Sequence, residues 1–160
     1  MDYENINAEA DLDDLNDSCT ILLSRYRITN NFTEPFVLPG IINASDITGG
    51  SAGRPLSIPS FEMPDLEHID DLSLVRLDQL ETFDVPKLMS ARAIRLGSDA
   101  SMALEMPALE EVSVMELKGN LTAWAFPLSF PCVMCTCGVL NSYGQVWGSP
   151  HCEMSSMTWL

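Results

Sequence analysis

Short bursts of alternating apolar and polar residues recur along this chain, and five of them run into a proline. Phe36 and Leu38 precede Pro39, Phe61 and Met63 precede Pro64, and Phe83 and Val85 precede Pro86. Leu104 and Met106 precede Pro107, and Trp124 and Phe126 precede Pro127. Successive prolines are 25, 22, 21 and 20 residues apart. Aligning on them yields further apolar columns. Ile41, Leu66, Leu88 and Leu109 stand two residues after the proline, and only Ser129 breaks that column. Ala44, Ile69, Ala91, Val112 and Cys132 stand five after. Ile47, Leu72, Ile94 and Met115 stand eight after, and Gly49, Leu74, Leu96 and Leu117 ten after.

Period-two alternation marks a strand with one buried face, whereas a helix would need apolar residues three and four apart. Each repeat therefore predicts two short strands, one ending at the proline and one eight to ten residues beyond it. Proline donates no backbone hydrogen bond and fixes φ, so the first strand turns there. One such coil cannot bury its own apolar edge, but coils stacked on one another can. The expected fold is all-β, a parallel β-solenoid of about five coils over residues 19–131. Tyr26 and Ile28 fit an opening half-coil, and the run from Gly49 to Gly53 fits a loop inserted between coils.

Charge changes the picture at the ends. The net charge is −15, from 23 acidic and 8 basic residues. Seven acids (Asp2, Glu4, Glu9, Asp11, Asp13, Asp14 and Asp17) precede the first basic residue, Arg25. Residues 1–18 are expected to form a disordered acidic tail, and residues 132–160 an irregular tail carrying Cys, Gly and Ser. No clustered Lys and Arg suits nucleic acid or an anionic lipid surface. No apolar run of about 18 residues suits a membrane span. Neither a signal peptide nor a lipid-anchor signal is visible, so the literal reading places the chain in the cytoplasm.

The proline-centred pattern, with Leu56, Ile58 and Phe61 before Met63, Pro64 and Leu66, and with Leu117, Asn120 and Thr122, resembles a known family. It is similar to the receptor L-domain, leucine-rich-repeat-like array of fungal GPI-anchored cell-wall organisation proteins, over roughly residues 19–131. The resemblance implies a right-handed solenoid at a fungal cell surface or cell wall. It implies non-catalytic structural or binding work, no cofactor, and a wall glycan or surface protein as partner. It carries over no catalytic residue. The alternatives are an intracellular solenoid that binds other proteins and a polysaccharide-active parallel β-helix enzyme.

The candidate chemistry is sparse. Asn16, Asn31, Asn43 and Asn120 begin N-glycosylation sequons, which matter if the chain is secreted. Cys132, Cys135, Cys137 and Cys152, with His151, superficially resemble a zinc set, but no second Cys-x2-Cys follows the first. The pairing of these cysteines and of Cys19 is open. Glu62, Asp84 and Glu105 share the column two residues before the proline, which predicts a stacked acidic ladder on a solvated face. Asp70 and Asp71 are the doublet a glycosidase reading would use, yet no second acidic group of the kind recurs beside them. His68 is expected to be exposed. No nucleophile elbow, phosphate loop or dinucleotide fingerprint occurs. No catalytic, metal-binding or cofactor-binding residue is assigned, and the oligomeric state is open.

Overall fold

The proline columns become turns that stack. A computed structural model describes residues 3–51, 54–125, 132–140 and 146–147. In the coils of Pro64, Pro86 and Pro107 the residue before the proline accepts a hydrogen bond from the residue two after it: Leu66 N–H to Met63 O (3.3 Å), Leu88 N–H to Val85 O (3.2 Å) and Leu109 N–H to Met106 O (3.3 Å). Proline thus sits at the second position of a four-residue turn, where its fixed φ is already correct. The N–H just before Pro39, Pro64, Pro86 and Pro107 is spent on the next coil, as in Leu38 to Glu62 O (2.9 Å) and Met63 to Asp84 O (3.1 Å).

The elements in chain order are β1 (Glu4–Ile6), α1 (Glu9–Ser18), β2 (Ile21–Ile28), β3 (Phe36–Val37), β4 (Asn43–Gly49), β5 (Ser60–Glu62), β6 (His68–Leu77), β7 (Thr82–Asp84), β8 (Ser90–Glu105), β9 (Glu111–Ala125), β10 (Cys132–Leu140) and β11 (Val146–Trp147). They form a β-solenoid of about five coils with two walls. The long wall runs β1, β2, β4, β6, the first half of β8, the first half of β9, then β10. The short wall runs β3, β5, β7, then the second halves of β8 and β9. Every pairing between these strands is parallel except that of β10 with β11.

The register follows the sequence columns. Phe36 pairs with Phe61 and Phe61 with Phe83, and Phe83 with Leu104. Ala44, Ile69, Ala91 and Val112 are likewise successive partners, and Val112 meets Cys132. Phe36, Phe61 and Phe83 are fully buried, with ring centroids 4.7 and 5.1 Å apart and planes within 6°. That is the parallel-strand spacing of about 4.8 Å transmitted to the side chains. Leucine, methionine and isoleucine columns fill the rest of the interior.

The strands of the long wall are longer than alternation predicts. β4, β6, β8 and β9 begin four residues after their proline, and in them the buried residues five and eight after it are three apart. Two consecutive residues therefore face outward at a kink, Ser45 and Asp46 in β4 and Asp70 and Asp71 in β6. The corner beyond this wall is tight. Arg76, at φ 56°, sits in the left-handed region within the irregularity between Leu74 and Leu77 of β6. A non-glycine residue there costs on the order of 1 kcal/mol. The inserted loop closes on itself through Ser51 and Arg54 (N–H to O distances 3.1 and 3.0 Å).

Two boundaries need correction. Residues 4–18 do not form the expected disordered tail: β1 pairs with β2, and α1 follows where the next coil would carry a short-wall strand. Ile6 and Leu12 are buried and Leu15 packs on the core, so three apolar residues close the exposed end of the stack. The acids face water, and Asp11 accepts the Asn7 and Ala8 N–H groups (2.7 and 3.1 Å) at the helix start. Early acids also suit the positive end of the helix dipole. At the other end, strand pairing passes residue 131, since β10 continues the long wall from Cys132 to Leu140. The expected irregular tail does not begin there.

Candidate binding face

The outer face of the long wall carries the polar residues that alternate with the core. Asn43, His68, Ser90 and Glu111 are successive partners in β4, β6, β8 and β9. Ser45, Asp70, Arg92 and Ser113 form the next row, two residues on. Together with Ile21 and Leu23 of β2 they line a shallow groove of about 430 Å³. His68 Nδ1 lies 2.7 Å from Ser90 Oγ. Among the described residues no carboxylate holds the other ring nitrogen, so the pair lacks the third member that orients a catalytic histidine. The apolar end of the groove is conspicuous: the Leu23 residue is 83% exposed and Ile21 49%.

Beside the groove, the kink brings four charged side chains into one line. Arg25 Nε lies 2.6 Å from Asp46 Oδ2, and Arg92 is hydrogen-bonded to Asp71. Asp46 and Asp71 are register partners on adjacent strands. Burial and the neighbouring Asp71 raise the Asp46 carboxyl above its ordinary range, although Arg25 works against them. Asp71 Oδ1 is buried with no hydrogen-bond partner. A protonated Asp46 has a donor to offer Asp71, and an ionised one does not.

On the short wall Glu62, Asp84 and Glu105 stack in register, as their common offset from the proline predicts. Burial, then Glu105 and Glu62, raise the Asp84 carboxyl. Asp65 is different: Lys87, 2.7 Å away, and the Gly40 N–H hold it below the usual carboxylate range.

These directions fix a pH dependence. Asp46 and Asp84 bind protons more tightly folded than unfolded. Their stabilising effect is complete below the ordinary carboxylate range and is lost as pH rises through the raised folded values. Asp65 acts oppositely, and only at lower pH. The thermal midpoint should therefore rise as pH falls through the raised folded values toward the ordinary carboxylate range. Asp46→Asn supplies a permanent N–H donor toward Asp71. It should add about 1 kcal/mol at neutral pH and flatten the slope, as read by calorimetry across that interval. An unchanged slope would remove Asp46 from the explanation.

The remaining candidates scatter. Asn16 on α1 and Asn31 in the turn after β2 are exposed, and Asn43 is half-buried in the groove. Asn120 lies in β9, paired with Ser101. Among the described residues no group of three His, Cys, Asp or Glu side chains could hold a metal ion. Cys132, Cys135 and Cys137 lie along β10, while His151 and Cys152 fall outside the described residues. Asp70 points to solvent and Asp71 into the ion network, so the doublet is divided between two environments. No helix among the described residues is long and apolar enough to cross a membrane. No family model, curated protein or solved structure matches the chain.

The charged line was missed in the sequence because its members are 21 to 25 residues apart and β2 carries a register shift between Leu22 and Arg25. The usable signal was that Asp46 and Asp71 both stand seven residues after their proline.

Proposed function

We propose that this chain is a non-catalytic binding and structural protein of a cell surface, and that the groove on the long wall is its recognition face. The observation that carries the reading is the in-register array of Asn43, Ser45, His68, Asp70, Ser90, Arg92 and Ser113 on a rigid wall. Hydroxyl, amide and charged groups repeated about every 4.8 Å suit a ligand that repeats its own polar groups. A glycan of the cell wall is such a ligand. The exposed sequon residues Asn16 and Asn31 support a secreted setting, and the proline-column resemblance points to a fungal wall.

The test is retention on insoluble wall polysaccharide. The wild type should bind, and Asp70→Ala with Ser90→Ala should bind at least about tenfold more weakly, the loss of two or more polar contacts, with an unchanged thermal midpoint. Equal retention of the double variant would defeat the assignment of this face, and release of soluble sugar would make the protein an enzyme.

A second reading has one observation in its favour. The exposed Ile21 and Leu23 suit a protein partner better than a sugar, as in an intracellular interaction module. Leu23→Ser should abolish binding under that reading and leave polysaccharide retention intact under the first.

A further inference from the structure

A second groove, of about 430 Å³, lies at the corner past the long wall, and its chemistry is opposite to that of the rest of the molecule. Arg76, Arg95 and Lys118 line it, with Gly97 and Gly119 between them and Asp99 and Glu116 at its side. Three of the chain's eight basic residues thus meet in one place on a protein of net charge −15. Three cations less two carboxylates leave one net positive charge. Arg95 is held only loosely, 4.0 Å from Glu116. Arg76 and Lys118 make no ion pair among the described residues.

The backbone adds a second, independent argument. Arg76 is the one described non-glycine residue in the left-handed region. Glycine is the default at such a position, so the fold alone does not call for arginine there. Strain held at a charged residue beside two other cations is the pattern of a ligand site. Gly97 has no side chain to cover the corner, and a Cβ built there would meet its nearest neighbour, Arg76 N, at 3.6 Å.

We propose that this corner groove binds a small oxyanion, with Arg76, Arg95 and Lys118 supplying the charge. Guanidinium groups match the planar or tetrahedral oxygens of carboxylate, sulfate and phosphate. The overall negative charge selects against long polyanions and favours a small ligand. This site lies apart from the groove assigned above, and it stands or falls separately.

The test uses the full chain at constant ionic strength, titrated in separate arms with inorganic phosphate, sulfate and acetate, with backbone amide shifts as the readout. Saturable shifts at Gly97, Gly119 and Arg76 are expected, and the arm with the tightest binding names the group. Arg76→Gly separates binding from folding. It relieves the backbone, so its thermal midpoint should hold or rise, while its affinity should fall at least about tenfold. Lys87→Ala removes a cation at a distant corner and should change nothing. Absence of saturable shifts in all arms, unchanged affinity in Arg76→Gly, or an equal loss in Lys87→Ala would overturn the proposal.

Discussion

Replacing Phe61 by alanine should cost about 3–5 kcal/mol, a large share of the roughly 5–15 kcal/mol that holds a domain of this size together. The ring lies between those of Phe36 and Phe83 and is fully buried. Its neighbours cannot close the gap, because hydrogen bonds between successive coils fix their backbones at one strand spacing. The cavity would therefore persist, which places the loss at the high end for such substitutions. Phe61→Leu should cost far less, since Leu104 already occupies the same column one coil beyond Phe83. Urea unfolding of both variants checks this. A loss below about 1 kcal/mol for the alanine would mean that the ring is not enclosed on both sides.

Gly50→Ala should be nearly as damaging, by about 2–4 kcal/mol. Gly50 has φ 72°, and an added Cβ would lie 1.8 Å from the carbonyl oxygen of Val75. The obstacle is main chain, so no rotamer change relieves it, and the corner where β4 meets β6 must part. Gly97→Ala is the matched control. Its φ is ordinary and its nearest contact is 3.6 Å, so the change should stay within about 0.5 kcal/mol of wild type. Thermal midpoints for the pair give the comparison, and equal losses would contradict the tight packing at Gly50.

The repeat was legible because proline does two things at once. It marks the turn and it fixes the offset at which every apolar column is read, so Phe61, Leu66, Ile69 and Leu72 could be assigned inward before any coordinates. The acidic ladder of Glu62, Asp84 and Glu105 was legible for the same reason. The capping elements β1 and α1 were not, because Ile6, Leu12 and Leu15 are few and are surrounded by acids that dominate the local composition. A cap needs only enough apolar area to cover one end, and so much charge can remain on its other side. The strand beyond Pro131 was missed because Ser129 breaks a column, although Cys132 kept the next one. Neither groove was visible. The charged line beside the long-wall groove depends on a kink that turns two consecutive residues outward, and the corner groove on an irregularity that shifts β6 against β8. Departures from strict alternation carry the chemistry here, and alternation was the signal being read.

Vertical stacking of equivalent side chains underlies both grooves, and aromatic proton contacts in solution report on it. Nuclear Overhauser effects should link the ring of Phe36 to that of Phe61, and Phe61 to Phe83. None should link Phe36 directly to Phe83, two strand spacings or about 10 Å away. Absence of either neighbouring contact, or a direct one between Phe36 and Phe83, would show that the coils do not lie over one another as described.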